Sequence, residues 1–161
     1  MTKRLHPGHA AASGVLAVLL ARSGMTGPAA ILDAPWGGFL PTYARDNADW
    51  AALTAGLGRD WRIHRSSIKP YASCRGTHAA VEAMLKFRAD GVRSDDLSAI
   101  RVNVHPTIVR MCGATQVTTR LDAQMSLPYA VAVALVKGAA DLPMFADEIR
   151  RDPAVLGQAS R

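Results

Sequence analysis

Residues 66–78, with the sequence SSIKPYASCRGTH, concentrate polar chemistry in a chain that is 49% hydrophobic. The stretch offers two cations, a hydroxyl, a thiol and an imidazole, namely Lys69, Arg75, Ser73, Cys74 and His78. Because Pro70 disfavours the α region for the residue before it, Lys69 is presented from an extended or turn backbone. Cations and a hydroxyl in one loop are suited to binding carboxylates.

The residues that follow predict how this loop leads into a helix. Gly76 frees the backbone, and Thr77 is a candidate N-cap for a helix that runs to about Ala89. The N-terminus of that helix directs positive partial charge toward the loop. We therefore expect Lys69 and Arg75 to converge on an anion, with a solvated strand-to-helix connection as the alternative.

Two members of the stretch allow more than one role. Cys74 could be a thiolate of low pKa in a positive loop or a small buried hydrophobic residue. His78, in the first helical turn, could act as an acid or base, or could be a hydrogen-bonded structural histidine. The spacing of the residues leaves both questions open.

Further candidate residues lie in two other segments. The sequence TKRLHPGHAA at residues 2–11 places cations ahead of a predicted helix over 9–22, namely Lys3, Arg4 and His6. Cations beside free N–H groups at a helix start form an anion site, whereas a basic tail is the alternative. Tyr129 follows Ser126-Leu127-Pro128, a capped helix start, and could donate a phenolic proton or serve only in packing.

Composition narrows the range of partners. The net charge of +6 suits an anionic partner, but the charges are scattered and aromatic residues make up only 6%, so we expect no nucleic acid. Cys74 and Cys112 lack a CxxC spacing, which predicts reduced thiols, no metal site and a cytoplasmic location. The most apolar segment, Ala10 to Ala21, is about half the roughly 20 residues that a membrane span needs. We expect a buried helix there instead.

The periodicity of the chain predicts an α+β fold. An all-α segment over 1–58 precedes a small α+β unit over 59–161, in the order helix, strand, helix, strand, helix, helix. The strands are predicted at WRIHRSSIK, from Trp61, and at LSAIRVNVH, which alternates apolar and polar residues. The helices of this unit are predicted over 77–89, 126–138 and 143–151.

Three blocks of sequence resemble one family in order and spacing. They are TKRLHPGHAAASGVLAVLLARSGMTGPAAILD with the following GGFLPTYA, then IKPYASCRGTHAAVEAMLKFR, and then MSLPYAVAVALVKG. These blocks resemble the MmgE/PrpD family, which includes 2-methylcitrate dehydratase, cis-aconitate decarboxylase and iminodisuccinate epimerase. The resemblance implies a helical domain, a smaller α+β lid, an active site between them and no required cofactor.

The resemblance also implies roles for the candidate residues. Lys3 and His6 are expected on the helical side of the site, and Lys69 is expected as a cation in the lid. Cys74 stands where relatives carry histidine, and Tyr129 is a candidate proton donor. Four residues of the second block are expected to contact the substrate, namely Ser73, Cys74, Arg75 and His78.

The implied function is a cofactor-independent lyase that acts on a small polycarboxylate. It would abstract a proton α to a carboxylate, most simply in the dehydration of 2-methylcitrate, and full-length members are expected to be homodimers. Family members are much longer than this chain and continue into further strands. We therefore expect a fragment, and a non-catalytic remnant that keeps its fold and its anion binding is the alternative function.

Overall fold

A computed structural model describes residues 2–44, 47 and 49–160, and it leaves the side chains of Thr2 and Arg4 outside this description. The described backbone is 58% helical and contains no strand, so the predicted α+β fold is wrong for this part of the chain. The chain forms two compact units, over residues 1–64 and 65–161. Each unit is described by itself.

The first unit begins with a long helix, α1 (Thr2–Arg22). This helix starts earlier than predicted, so Lys3 and His6 lie on it rather than ahead of it. Pro7 is inside the helix and has no N–H, so the carbonyl of Lys3 loses its usual helical partner. The free N–H groups expected at a helix start near Gly8 are therefore not found there.

The end of α1 is a Schellman motif. Gly24 adopts a positive φ of 95°, its N–H donates to Ala21 O, and the N–H of Met25 donates to Leu20 O at 3.0 Å. The apolar residues of α1 are exposed in this chain, among them Val15 at 63% and Leu16 at 56%. The prediction that this helix is buried is therefore not met within the described residues.

Short elements complete the first unit. Residues 29–37 form turns that lead into α2 (Phe39–Tyr43). Helix α3 (Trp50–Thr54) is capped by Asp49, whose carboxylate accepts from Ala52 N at 3.1 Å. None of the described helices is long and apolar enough to cross a membrane.

The second unit is built around a helix that is apolar on every side. Its α-helices are α4 (His78–Ala89), α5 (Pro106–Cys112), α6 (Arg120–Gln124), α7 (Leu127–Lys137), α8 (Asp147–Arg150) and α9 (Pro153–Ala159). Helix α7 starts as predicted, because the Ser126 hydroxyl accepts from Tyr129 N at 3.1 Å. It ends at Gly138, which has a φ of 74°. Helices α4, α6 and α9 pack against α7.

Two apolar clusters cover opposite sides of α7. The first joins Val81 and Met84 of α4 to Val131 and Leu135 of α7. The second consists of residues from α6 through α9, namely Ala123, Tyr129, Ala132, Val133, Phe145, Val155 and Ala159. Because α7 contributes to both clusters, its burial ties the whole unit together.

The segment 97–105, predicted as a strand, has no regular secondary structure and no neighbouring strand among the described residues. Its alternation was read correctly, since Ile100, Val102 and Val104 pack against the first cluster. The polar residues between them are exposed. A period of two predicts which side chains face inward, whereas a strand also requires a hydrogen-bonded partner that the segment itself does not encode.

Two other predictions of secondary structure fail in a similar way. In place of the strand expected from Trp61, Arg62–Arg65 form a 3₁₀ turn, and Ile68 is fully exposed. The last predicted helix, over 143–151, is a 3₁₀ turn at Leu142–Phe145 followed by the short α8. Pro153 then starts a further helix, α9, since proline is favoured in the first helical turn.

Asp152 joins α7 to α9 and generates a prediction about acid stability. It accepts a hydrogen bond from Lys137 Nζ and caps Ala154 N at 2.8 Å, and these two bonds lower the pKa of Asp152. A lowered folded pKa stabilises the fold above the unfolded pKa of about 3.9, and this contribution is lost as the pH falls through the folded value. The free energy of unfolding should therefore fall less on acidification in Asp152→Asn than in the wild type.

Urea unfolding followed by circular dichroism between about pH 6 and pH 3 measures this difference. Asparagine retains N-capping ability, so the substitution isolates the charge. The matched control is Asp90→Asn at the end of α4, since Asp90 forms no ion pair with another described residue. This variant should follow the wild type. Identical pH profiles for wild type and Asp152→Asn would contradict the assignment.

Candidate functional site

The loop over residues 66–78 is held by backbone hydrogen bonds to the chain before and after α7. Ala72 N donates to Ala140 O at 3.0 Å, and Cys74 N donates to Gln124 O at 2.8 Å. The side chain of Gln124 returns a hydrogen bond to Ala72 O, also at 2.8 Å. These bonds position the loop without using any of its cations or ring nitrogens.

Two predicted site residues converge on one oxygen. Lys69 Nζ and His78 Nε2 each lie 3.3 Å from the carbonyl oxygen of Ser73. A carbonyl only accepts hydrogen bonds, so Nε2 of His78 must carry a proton in this arrangement. The structure thus brings together Lys69, Ser73 and His78, whereas the expected convergence of Lys69 and Arg75 on an anion stays a prediction.

The hydroxyl groups of this loop form a chain with a defined direction. Thr77 Oγ1 donates to Cys74 O at 2.9 Å, so its proton is already used. The contact of 2.7 Å between Ser73 Oγ and Thr77 Oγ1 must then be donated by Ser73. With its proton used, the Ser73 hydroxyl can accept a hydrogen bond but has no proton left for a substrate carboxylate.

Thr77 does not cap α4 as predicted. Its backbone is at the N-cap position, but its hydroxyl bonds within the loop instead of to the first helical turn. Sequence reasoning could not separate these outcomes, because a threonine hydroxyl serves either partner equally well. The consequence is a loop stiffened by its own side chains.

The cations of the loop are exposed, whereas the groups that support them are buried. Lys69 and Arg75 face solvent, and Ser73 and His78 are buried. His78 is also fixed by the ring of Tyr71, which meets it edge-on at 5.3 Å between ring centroids. Arg75 donates from Nη1 to the Ser67 hydroxyl.

The charge of this loop is not neutralised by ion pairs among the described residues. Among the described residues, the ion pairs are Lys137–Asp152, Arg150–Asp147 and Arg151–Asp147. In that part of the chain neither Lys69 nor Arg75 forms an ion pair with a carboxylate. The exposed face of the loop therefore attracts anions.

Cys74 is half-buried and lies beside Cys112 at the end of α5. Burial, together with a hydrogen bond and charge from Cys74, raises the pKa of Cys112 to about 11. Cys112 is therefore a thiol at neutral pH. Among residues 2–44, 47 and 49–160, no three histidine, cysteine or carboxylate side chains are grouped to hold a metal.

Tyr129 lies in the second apolar cluster rather than at a surface. It is fully buried, its hydroxyl donates to Met144 O at 2.8 Å, and its ring packs 5.7 Å from that of Phe145. Burial is the main cause that raises the pKa of Tyr129 to about 12. The predicted role of Tyr129 as a proton donor stays a prediction, and in this structure its proton is used within the core.

Lys3 and His6 are exposed on α1 in the unit over residues 1–64. The side chain of Arg4 lies outside the described residues. The structure thus brings the loop residues together with each other, and it presents Lys3 and His6 within a separate unit. Their predicted role in the site stays a prediction.

Sequence reasoning missed two residues that position the loop. Gln124 bonds to it from more than forty positions away, and no local pattern indicates such a contact. Tyr71 follows Pro70 directly and could have been suspected from its place inside the motif. Neither side chain is charged, so a search for catalytic residue types passes over both.

The chain belongs to the MmgE/PrpD family. The C-terminal domain of that family matches residues 71–161, and its N-terminal domain matches residues 1–51. The resemblance inferred from the three sequence blocks is thereby confirmed.

Curated relatives of the chain carry the name of one member of this family. A cis-aconitate decarboxylase of Aspergillus terreus is 31% identical over 161 residues, which cover 91% of this chain and 33% of that protein. A cis-aconitate decarboxylase-like protein of Aspergillus oryzae is 31% identical over 109 residues, or 63% of this chain and 23% of its own length. The chain thus spans about a third of the length of the decarboxylase from Aspergillus terreus.

Close packing at Gly76 generates a prediction about the loop. A Cβ at this position would collide with Cδ1 of Ile108 on α5, and Ile108 itself packs against the first cluster. Gly76→Ala should therefore lower the free energy of unfolding by about 1–3 kcal/mol. Ile108→Val removes the colliding methyl group, so the double variant should be more stable than the sum of the single effects predicts.

Chemical denaturation of the four proteins in this double-mutant cycle gives the coupling energy. The control is Gly157→Ala in α9, where nothing lies within 4 Å of the new methyl group. That variant should be neutral or up to about 1 kcal/mol more stable, because alanine favours the helix. Strictly additive effects at Gly76 and Ile108 would show that the two residues do not touch.

Tyr129 allows a structural role to be separated from a chemical one. Removing its hydroxyl in Tyr129→Phe deletes the bond to Met144 O and should cost about 0.5–1.5 kcal/mol of stability. If the Tyr129 hydroxyl only stabilises the core, the affinity of the loop over residues 66–78 for a carboxylate ligand should stay unchanged in this variant. A large loss of affinity with little loss of stability would instead favour the proton-donor role.

Proposed function

We propose that the chain forms the polycarboxylate-binding portion of a lyase of the MmgE/PrpD family, with residues 66–78 as the carboxylate-binding loop. The observation that carries this proposal is the convergence of Lys69 Nζ and His78 Nε2 on one carbonyl oxygen. The Ser73 carbonyl oxygen thus accepts from both donors. Among the described residues, the two cations of the loop, Lys69 and Arg75, form no ion pair with a carboxylate. A substrate carboxylate satisfies the same two donors better.

The exchange of one acceptor for another has a clear energetic basis. The two hydrogen bonds to the Ser73 carbonyl oxygen have donor–acceptor distances of 3.3 Å. They are longer than usual and therefore weaker. A carboxylate oxygen forms charge-assisted hydrogen bonds of about 2.7–2.9 Å, and these are roughly twice as strong as neutral ones. Because His78 is buried and held by Tyr71, it need not reorganise when the ligand arrives.

Arg75 provides a second binding position on the same face. Its guanidinium is exposed and is held by the hydroxyl of Ser67, which occupies only some of its five donors. A polycarboxylate could therefore place one carboxylate at Lys69 and His78 and another at Arg75. A monocarboxylate would use only one of these positions and should bind more weakly.

The reaction that we propose first is decarboxylation of a tricarboxylate such as cis-aconitate, as named for the relatives from Aspergillus. Cleavage of the bond between carbon and the carboxylate releases CO2 and leaves the electron pair on the substrate, where a proton then adds. Negative charge thus develops next to the remaining carboxylates. Fixed cations that favour this charge in the transition state accelerate the reaction.

Dehydration of 2-methylcitrate, the reaction expected from the resemblance, is the second candidate. It too begins by generating negative charge α to a carboxylate, here by removal of a proton, and it ends with loss of water. The binding loop serves both reactions equally, and the names of the relatives favour the first. In either case the loop binds and orients the substrate, while a base or acid completes the proton transfer.

Ligand binding tests the proposed role of Lys69. Lys69→Ala should weaken the binding of cis-aconitate about 10- to 100-fold, because a hydrogen bond to a charged group contributes about 1.5–3 kcal/mol. Lys69→Arg keeps the charge and should bind more tightly than the alanine variant. The control Lys86→Ala removes an equal charge from the exposed surface of α4 and should bind like the wild type.

Titration calorimetry at low and moderate salt measures these affinities, and the trimethyl ester of cis-aconitate serves as an uncharged comparison. Equal affinities for wild type and Lys69→Ala would overturn the assignment of the loop. Assays for CO2 release from cis-aconitate and for alkene absorbance from 2-methylcitrate then compare the two reactions. Binding without either product would favour a non-catalytic remnant that keeps its anion affinity.

A further inference from the structure

The chain contains 2 cysteines, Cys74 and Cys112, which lie far apart in sequence. Cys74 belongs to the carboxylate-binding loop, and both residues pack in the first apolar cluster. Cys112 is the last residue of α5 and is almost completely buried in the first cluster. Cys74 is half-buried in the loop and packs against that same cluster. Both side chains therefore belong to one packed region of the unit, and Cys74 contributes, after burial, to the raised pKa of Cys112.

The surrounding structure holds the two residues in this relation. Cys74 is fixed by the bond from its N–H to Gln124 O, and its carbonyl accepts from Thr77. Helix α5 abuts the loop at Gly76, where Ile108 leaves no room for a side chain. The proximity of the thiols thus rests on packing at neighbouring positions as well as on the thiols themselves.

We propose that Cys74 and Cys112 form a redox modification site, in which a low-molecular-weight disulfide oxidises the two thiols to a reversible intramolecular disulfide. This site does not depend on the proposed function, because its chemistry needs no polycarboxylate. It lies next to Ser73, whose carbonyl gathers Lys69 and His78.

The chemistry takes place in two exchange steps. The thiolate of Cys74 attacks one sulfur of the small disulfide, forms a mixed disulfide and releases the first small thiol. The thiolate of Cys112 then attacks the sulfur of Cys74 and releases the second. Two protein S–H bonds are lost and one S–S bond forms, while the small disulfide accepts two electrons and two protons to become two thiols.

Exposure determines this order. A dissolved disulfide can reach the half-buried Cys74, whereas Cys112 is accessible only through local opening of the cluster. The raised pKa of Cys112 makes it a poor nucleophile toward an outside reagent. Toward a mixed disulfide on the adjacent Cys74, its attack is intramolecular and benefits from a high effective concentration.

Oxidised glutathione is the probe for the test, applied to the reduced native protein and followed by intact mass and peptide mapping. The wild type should lose two hydrogen atoms in mass and contain a peptide cross-linked through Cys74 and Cys112. Cys112→Ala should instead retain one glutathionyl group on Cys74. Cys74→Ala should react at least about tenfold more slowly, since its remaining thiol is buried.

Several results would overturn the proposal. These are a stable glutathionyl group on Cys74 of the wild type, covalent dimers as the main product, or rapid modification of Cys112 in Cys74→Ala. Circular dichroism establishes that both alanine variants fold. If either variant does not fold, the proposal is tested with the wild type alone. The yield of the intramolecular disulfide is then compared between the native protein and the protein in concentrated urea.

Unfolding removes the packing that holds the thiols together. In urea the yield of the intramolecular disulfide should therefore fall, and glutathionyl groups should accumulate on both cysteines. Equal yields of the cross-link in native and unfolded protein would show that the fold does not bring the cysteines together. Calorimetry with cis-aconitate on the oxidised protein is a separate measurement, so a failure of substrate binding leaves the result on the thiols intact.

Discussion

The second unit depends on covering α7, which is apolar on all sides and buried along nearly its whole length. A helix of this composition has no face that can be left in water, so other segments must surround it. Helices α4, α6 and α9 do so, with Phe145 and the extended segment near Ile100 filling the remaining contacts. Burial of this one helix therefore determines where the other elements of the unit lie.

The position of the loop over residues 66–78, which we propose binds carboxylates, follows from this arrangement. Its anchors, Gln124 and Ala140, lie in the chain just before and just after α7. In this loop, the Ser73 hydroxyl donates to the Thr77 hydroxyl, and the Thr77 hydroxyl donates to the carbonyl oxygen of Cys74. The exposed cations of the loop are Lys69 and Arg75, and groups that only donate hydrogen bonds favour an anion over a hydrogen-bond donor.

The contrast between α1 and α7 shows the limit of pattern reading. Both helices are apolar around most of their circumference, and the same rule predicts that both are buried. Helix α7 is surrounded, whereas Val15 and Leu16 of α1 are exposed in this chain. Apolar periodicity states that a helix requires neighbours, and only the tertiary structure shows whether a given chain supplies them.

Local chemistry decided much of what the sequence alone could predict. Ser126 with Pro128 sets the start of α7, Gly24 sets the end of α1, and the motif at residues 66–78 marks the loop that holds Lys69 and His78. These signals depend on backbone preferences and hydrogen bonds between residues a few positions apart, so the sequence carries them directly.

The tertiary structure decided the features that need a distant partner. The segment around Val102 has the alternation of a strand but no neighbouring strand among the described residues, and the hydroxyl of Tyr129 is used by the carbonyl of Met144. The meeting of Cys74 with Cys112 also depends on packing across the unit. Such contacts join residues far apart in the chain, and no local pattern encodes them because their energy arises only when the whole core assembles around α7.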